Sequence, residues 1–325
     1  MSGVRRRQLV IAGSALLVVA SVVMAQPTGK VYRVGILTAA ESPREESFRR
    51  GLRELGYVEG RNLVIEARYD GGNTAGLTER AADLARLKVD VIFAASSTYV
   101  RAARQATRTI PIVFAAHNDP VGTGDAASLG HPGGNATGLT MMGTDLSVKQ
   151  MQLLRQIVPG ATRFAIMWNP TTPSHGPALE QIEAAARSLG IELRRVEAKL
   201  ASDMDAAFAA AKRERAQAVF VLASPMVGLE TSLLASVAAK HRLPTMYSAR
   251  EFAEAGGLIA YGPDRLDMYR RSAEYVDKIL KGAKPGDLPI EQPTKLELII
   301  NLKSAKMLGI KIPESVLVRA DALIQ

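Results

Sequence analysis

The sequence predicts an α/β protein with two doubly wound lobes of flavodoxin-like strand order and a ligand cleft between them. Short apolar segments alternate regularly with amphipathic segments of helical period along residues 31–261. Several of the apolar segments are nearly continuous, which is typical of parallel strands covered on both faces by helices. The alternation restarts after residue 140, so the strands fall into two series of five. Two such series predict two similar sheets.

The first series occupies the chain up to residue 140. Its strands are predicted at residues 31–37, 63–69, 89–95, 110–116 and 136–140. The helix after the first strand begins at Ser42-Pro43-Arg44-Glu45. A serine followed three residues later by glutamate forms a capping box, and proline suits the first helical position. Apolar residues at helical spacing predict two further helices at residues 74–87 and 99–107.

The second series repeats this pattern from residue 147 onward. Its strands are predicted at residues 163–168, 191–196, 218–223, 243–248 and 258–261. The helix before these strands opens with a capping box at Ser147 and Gln150, and Ser202 is expected to cap a later one. The other helices are predicted at residues 177–189 and 227–240.

The remaining segments set the predicted lobe boundaries. A helix at residues 264–280, a strand at 296–300 and a helix at 302–308 follow the second series. We assign residues 26–140 and 262–291 to the first lobe, and residues 141–261 and 292–325 to the second.

The N-terminal segment has the features of an export signal. Arg5, Arg6 and Arg7 precede an apolar run that ends with small residues before Gln26. The run is shorter than a bilayer span, so we expect cleavage of a signal peptide after Ala25 and a soluble, periplasmic mature protein. The Sec and twin-arginine routes both stay open.

Composition excludes several functional classes. The 325 residues carry a formal charge of +9, but their Lys and Arg are interleaved with Asp and Glu, so no nucleic-acid partner is expected. Without any cysteine, the chain has no disulfide, thiolate metal site or lipid-attachable thiol. The histidines lack metal-ligand spacing, and no G-x-S-x-G elbow or phosphate-binding loop occurs. We therefore expect no catalytic residue, no metal and no cofactor.

Polar residues follow the two central strands of the first series. Ser96, Ser97 and Thr98 come after one strand and open a helix, while Asn118 and Asp119 follow the next strand. The carboxyl ends of parallel strands meet at one edge, where small molecules bind. The hydroxyl groups are candidates to hold a carboxylate, although one of them should also cap the helix. Asp119 either accepts a ligand ammonium or simply starts a turn before Pro120.

Other strand ends supply further candidate ligand-binding residues. Thr38 and Glu41 follow the first strand, although Glu41 could equally be solvated. Trp168 either stacks on a planar ligand or packs between helix and sheet. The candidates from the second lobe are Trp168, Asn169, Ser224, Pro225, Tyr247 and Tyr261.

Several segments resemble one family of transport receptors. They include residues 51–63 (GLRELGYVEGRNL), 110–114 (IPIVF), 119–124 (DPVGTG), 132–135 (PGGN), 168–170 (WNP), 251–258 (EFAEAGGL) and 293–303 (PTKLELIINLK). In this order they are similar to the substrate-binding proteins of ABC transporters in the tryptophan-import, TrpX-like family. The resemblance implies a type I periplasmic binding fold and a small solute as ligand, either an amino acid or an aromatic amino-acid-like compound. It also implies ABC permease and ATPase subunits in the inner membrane as partners.

Two other functions stay open on the sequence. One is a ligand-sensing receptor that does not take part in transport. The other is an exported α/β enzyme, which would need an acid/base pair that the sequence does not display.

Overall fold

The computed structural model describes residues 30–325, and the predicted signal peptide lies outside these residues. The strands are β1 (Tyr32–Thr38), β2 (Leu63–Tyr69), β3 (Val91–Ala94), β4 (Ile112–His117), β5 (Ala136–Thr140), β6 (Arg163–Trp168), β7 (Glu192–Glu197), β8 (Ala218–Val221), β9 (Thr245–Tyr247), β10 (Ile259–Pro263), β11 (Leu296–Asn301) and β12 (Ala322–Ile324). The helices are α1 (Pro43–Glu54), α2 (Leu77–Arg86), α3 (Ser97–Ala106), α4 (Gly143–Ile157), α5 (His175–Ser188), α6 (Met204–Arg213), α7 (Pro225–Leu229), α8 (Thr231–His241), α9 (Arg250–Glu254), α10 (Arg265–Leu280), α11 (Leu302–Leu308) and α12 (Glu314–Leu317).

Two sheets organise these elements into two lobes. The first sheet is parallel and has the order β2-β1-β3-β4-β5. The second has the order β12-β11-β10-β9-β8-β6-β7, in which β10 and β11 pair antiparallel. Its strands β7-β6-β8-β9-β10 repeat the order of the first sheet, so the predicted fold class is confirmed. We call the first sheet with α1, α2, α3 and α10 the first lobe, and the second sheet with the other helices the second lobe.

The first lobe includes a helix that is distant in sequence, because α10 packs on its sheet. Phe48 of α1 stacks on Phe93 of β3 with ring centroids 4.0 Å apart, and Tyr269 of α10 meets Phe93 edge-on at 5.6 Å. Gly51 allows α1 and α10 to approach closely. A Cβ atom there would lie 2.4 Å from the carbonyl oxygen of Arg270, so any side chain would force the helices apart.

Local sequence signals explain most helix starts. The Ser42 hydroxyl accepts a hydrogen bond from the Glu45 amide, as a capping residue does. Asp264 caps α10 by accepting from the amides of Leu266 and Asp267. Both caps stand where the sequence predicts a helix to begin.

Three helix predictions were wrong in detail. Helix α4 begins at Gly143 and not at Ser147, whose hydroxyl donates to the Gly143 carbonyl within the helix. Ser202 lies in a 3₁₀ turn before α6, and the Asp203 carboxylate accepts the free amides there. The helix predicted at residues 227–240 is divided at Glu230 into α7 and α8. Elements α9, α12 and β12 were missed because each is too short to show a period.

The chain passes between the lobes after β5, after β10 and again before β11. At the first of these passages Met142 adopts a left-handed backbone with φ of 50°. The amide of Gly143 then donates to the carbonyl oxygen of Asn118 at 2.8 Å, which ties the passage to the end of β4. Within residues 30–325, no helix combines the length and the apolar character that crossing a bilayer requires.

Candidate functional site

A cavity of about 60 Å³ lies between the two sheets, where the carboxyl ends of their strands face each other. The first lobe contributes Thr38, Ser42, Arg44, Ser96, Ser97, Tyr99, Asn118, Arg265 and Tyr269 to its lining. The second lobe contributes Thr172, Ala223, Ser224, Pro225, Gly228 and Leu229. The position agrees with the rule that open α/β sheets bind small molecules beyond their strand ends.

The hydroxyl cluster of Ser96, Ser97 and Thr98 opens α3 at this cavity. Ser96 and Ser97 line the cavity, whereas Thr98 is buried beside it. All three hydroxyl oxygens are buried without a hydrogen-bond partner in the described chain. The expected capping bond is absent from α3, because the side chain of Ser96 at the cap position accepts no amide. The cluster therefore presents unused donors beside the positive end of a helix dipole.

Asn118 joins the lobes across the cavity. Its side-chain amide donates to the Ser174 hydroxyl at 3.0 Å and to the Ala223 carbonyl oxygen at 3.3 Å, both in the second lobe. A third link runs from Arg44 Nη2 to the Gly228 carbonyl oxygen at 2.6 Å. These three bonds link the two lobes across the cavity.

The structure places Asp119 outside the cavity. Its Oδ1 accepts from the Gly122 amide at 2.8 Å, and its Oδ2 accepts from the Thr144 hydroxyl at 3.3 Å. These are the bonds of an aspartate that starts a turn. The turn is held further by Asp125, which lies 3.0 Å from His117 and 2.7 Å from Arg104. Burial opposes the charge of Asp125, but its hydrogen bonds from His117, Thr123 and Arg104 outweigh burial and lower its pKa.

The other predicted residues divide between the cavity and its surroundings. Thr38, Ser224 and Pro225 line the cavity, and the Ser224 hydroxyl caps α7 by accepting from the Val227 amide. Glu41 is exposed and does not line the cavity. Four predicted ligand-binding residues belong to the second lobe but do not line the cavity, namely Trp168, Asn169, Tyr247 and Tyr261.

Each of these four residues has a structural environment of its own. Trp168 is half-buried against the core of the second lobe. Asn169 accepts from the amide and the hydroxyl of Thr171. Tyr247 is fully buried beneath the guanidinium of Arg265, which lies 5.7 Å from its ring centroid. Tyr261 packs on the second core, and its carbonyl oxygen accepts from Gln150 at 2.5 Å.

Sequence reasoning missed two arginines in the cavity wall, Arg44 and Arg265. Arg265 is only 8% exposed; its Nη2 donates to the Ser248 hydroxyl at 2.8 Å, and its Nε has no hydrogen-bond partner among the described residues. Burial opposes its charge, but Tyr247 and Glu251 outweigh burial and raise its pKa, so Arg265 stays cationic. The sequence did contain a signal that these two arginines are unusual. Both arginines stand in the first turn of a helix, where the helix dipole disfavours a cation.

The spacing of His175 in the sequence does not fit a metal ligand, and in the structure this residue bonds to backbone groups of the second lobe. Its Nδ1 accepts from the Asn169 amide at 3.0 Å, so the ring proton is on Nε2, which donates to the Ala223 carbonyl oxygen at 2.9 Å. Burial lowers its pKa to about 4. The neutral ring thus orients the carbonyl group to which Asn118 also donates.

One further acid lies close behind the cavity wall. The Tyr99 hydroxyl donates to Asp70 Oδ1 at 3.0 Å, and the Gly72 amide donates to the same oxygen. Burial raises the Asp70 pKa, against the effect of these hydrogen bonds. Tyr99 lines the cavity whereas Asp70 does not.

The two lobes and the cavity between them define a two-lobed binding protein of the type I periplasmic class. The family model for ABC transporter substrate binding proteins matches residues 38–324. The chain therefore belongs to that family.

Individual relatives agree with this assignment. The chain is 24% identical over 287 residues to a tyrosine-binding protein of Clostridioides difficile (strain R20291), covering 87% of this chain and 82% of the relative. Its fold is similar to that of a conserved domain protein from Vibrio cholerae, with a TM-score of 0.84 and 29% identity, covering 90% of this chain and 100% of that one. It is also similar to an ABC domain from Streptococcus pneumoniae in complex with L-Trp, with a TM-score of 0.81 and 23% identity, covering 90% of this chain and 99% of that one.

Proposed function

We propose that this protein is the periplasmic receptor of an ABC importer and traps a small solute between its lobes. The solute is an amino acid or an aromatic amino-acid-like compound. The observation that carries this proposal is the pair of buried, unpartnered hydroxyl groups of Ser96 and Ser97 in the cavity wall. Such donors at a helix N-terminus suit a ligand carboxylate.

Groups around the hydroxyl cluster suit the rest of such a ligand. The rings of Tyr99 and Tyr269 border the cavity and can flank a planar group. Thr38, Ser224 and Pro225 complete the wall from both lobes. The names of the tyrosine-binding relative and of the L-Trp complex support an aromatic solute.

Closure supplies the mechanism of capture and delivery. A solute that contacts both lobes binds the closed form more tightly than the open form, so it shifts the population toward closure. The bonds from Asn118 and Arg44 link the lobes across the cavity and would stabilise the closed arrangement. A permease that recognises the closed pair of lobes then accepts the solute, and a separate ATPase subunit drives import. Membership of the ABC transporter family supports these partners.

The test uses the mature chain, residues 26–325, exported from a bacterial host. Small molecules released on denaturation are identified by mass spectrometry, and the emptied protein is then screened by thermal shift against amino acids and aromatic acids. A binding protein gains stability by mass action and returns its ligand unchanged. Chemical conversion of the ligand, or the absence of any stabilising solute, contradicts the proposal.

Import itself needs a separate measurement. The protein is combined in proteoliposomes with a candidate ABC permease and ATPase from the same genome, and uptake of the identified solute is followed. Binding without any dependence of uptake on this protein favours a sensing receptor over a transport receptor.

A further inference from the structure

The charges around the cavity are unbalanced. Arg44 and Arg265 both line it, whereas no aspartate or glutamate of residues 30–325 does. Neither arginine forms an ion pair with a residue in the described part of the chain. The wall therefore presents two cations and no anion to whatever occupies the cavity.

Arg265 is the stronger of these two observations. Its guanidinium is more than nine-tenths buried, makes one hydrogen bond to a neutral hydroxyl, and leaves Nε without a partner in the described chain. Burying a charge without an adjacent counter-ion is unfavourable; the Tyr247 ring, 5.7 Å from the guanidinium, and Glu251 at longer range favour the cation, but neither forms an ion pair with it in the described chain. Because Arg265 lines the cavity, the compensating group can come from the ligand.

The helices around the cavity add positive potential. Helices α1, α3 and α10 all begin at its wall, through Ser42, Ser96 and Arg265 respectively. Each helix N-terminus carries roughly half a positive charge, and the start of α3 has no side-chain cap to offset it. Arg44 and Arg265 stand in two of these first turns, where their charges add to those of the dipoles.

The nearby acids do not line the cavity, although Asp70 Oδ2 and Glu45 Oε2 are buried without a hydrogen-bond partner in the described chain. Asp119 holds its own turn, and Asp70 stands behind the ring of Tyr99. Glu45 pairs with Arg49. Glu251 acts on Arg265 at longer range without an ion pair in the described residues. In the cavity lining of residues 30–325, a ligand ammonium group would consequently meet two guanidinium groups and no carboxylate.

We infer that the ligand is an organic acid without a protonated amine: a carboxylate whose charge is balanced by Arg265, Arg44 and the start of α3. This inference narrows the proposed function and rests on it. The Ser96 and Ser97 hydroxyls and Arg265 donate to the carboxylate, while Tyr99 and Tyr269 flank an aromatic or planar body. A deaminated relative of an aromatic amino acid has this combination of groups.

The first experiment compares matched pairs that differ only in the α-ammonium group. The pairs are L-tyrosine with 3-(4-hydroxyphenyl)propionate, L-phenylalanine with 3-phenylpropionate, and L-tryptophan with indole-3-propionate; tyramine is the cationic control. Isothermal titration of the emptied protein should give an acid that binds at least about 100-fold more tightly than its amino acid, the size expected for placing an unpaired charge against a like charge. Tyramine should not bind.

A second experiment tests the two arginines directly. Arg265→Gln removes the buried charge and keeps a donor for Ser248, so affinity for the acid should fall about 100-fold while the ligand-free melting temperature stays equal or rises. Arg44→Gln should lower the affinity for the acid by a smaller factor. Arg50→Gln, on the exposed face of the same helix, is the matched control and should leave affinity unchanged.

The outcomes separate the inference from the proposed function. An amino acid that binds as tightly as its deaminated partner overturns the inference and supports the proposed function. If the Asp70→Asn variant no longer binds that amino acid, Asp70 is the acceptor of the ligand ammonium group, and the inference is overturned in the same way. If no member of any pair binds and no small solute co-purifies, both the inference and the proposed function are contradicted.

Discussion

The two sides of the cleft use their polar groups differently. In the first lobe, Ser96, Ser97 and Arg265 keep buried polar atoms without partners in the described chain. In the second lobe, the Ser224 hydroxyl caps α7 and both ring nitrogens of His175 bond to backbone groups. An unpartnered buried donor costs about 1–3 kcal/mol. The first lobe therefore has such groups in the cavity lining, whereas the unpartnered atoms of the second lobe among the described residues, Trp168 Nε1 and the Tyr247 hydroxyl, lie outside the lining.

This difference teaches how the work of binding is divided. Groups that are unsatisfied without ligand gain most when a ligand supplies their partners, so the first lobe should provide most of the affinity. The second lobe presents a wall whose hydrogen bonds are already made, so closing it against the ligand costs little reorganisation. Four predictions test this division.

The largest effect is expected from removing the hydroxyl groups of the first lobe. Ser96→Ala combined with Ser97→Ala should reduce ligand affinity about 100-fold, since hydrogen bonds to a charged group contribute roughly 1.5–3 kcal/mol each. Neither hydroxyl has a partner in the described chain, so the ligand-free melting temperature should not fall. Isothermal titration and thermal melts measure the two effects.

The matched variant for this prediction lies in the second lobe. Ser224→Ala removes a helix cap and should lower stability by about 1 kcal/mol, with an affinity change well below that of the double variant. Ser188→Ala, at an exposed position on α5, controls for the substitution itself. Equal losses of affinity in Ser224→Ala and the double variant would remove the proposed asymmetry.

The next effect concerns the satisfied network of the second lobe. Burial lowers the His175 pKa to about 4 from an ordinary value of 6.5, so between these pH values the unfolded chain binds a proton that the folded chain does not. The part of the folding stability that depends on a neutral His175 is fully present above about pH 6.5 and is lost as pH falls toward 4. The loss should be on the order of a few kcal/mol. Urea unfolding at stepwise pH gives the free energy of unfolding of this protein and of His175→Gln. The difference between the two proteins should change between pH 6.5 and 4, and parallel curves would contradict the prediction.

A smaller effect is expected at the contact between the sides. Asn118→Ala removes the amide bonds to Ser174 and Ala223, which link the two lobes. Affinity should fall about tenfold, since two neutral hydrogen bonds of closure are lost. Small-angle scattering should show a larger radius for the ligand-free variant. Asn73→Ala, in an exposed loop of the first lobe, is the control, and an unchanged radius would show that Asn118 does not hold the closed form.

The smallest effect on binding is expected at Asp119. Asp119→Ala removes the hydrogen bond from the Gly122 amide and should lower stability by about 1 kcal/mol, while affinity stays within about twofold of the unchanged protein. Denaturant unfolding and titration give both values. A complete loss of binding would instead favour the ammonium-acceptor role that the sequence left open for this residue.

Much of the architecture was predictable because it depends on local patterns. The strands at residues 63–69, 136–140 and 163–168 are observed as predicted, since short segments rich in apolar residues between turn residues have few alternatives. The failures are equally local. Ser147 has the form of a capping box but lies inside α4, because the turn at Met142 starts that helix earlier.

The site was predictable only in part, for a reason that Ser97 and Arg265 illustrate. Ser97 comes shortly after a buried strand and opens the next helix, so the strand-end rule brings it to the cavity. Arg265 opens a helix after β10, and basic residues on helices are usually solvated. Its side chain is buried where α10, packed on the first sheet, meets Tyr247 and Ser248 of the second lobe, and no local pattern contains this contact.

The sequence by itself determined the alternation of strands and helices, the two sheets, and the edge at which Ser96, Ser97 and Asn118 meet, because these follow from periodicity and from the parallel direction of the strands. Only the tertiary structure decided which charges border the cavity. Asp119 turned away into its own loop, and Arg44 and Arg265 came in from two helices that pack together around Gly51. Burial and pairing depend on neighbours distant in the chain, so the sign of the charge presented to a ligand is set by packing.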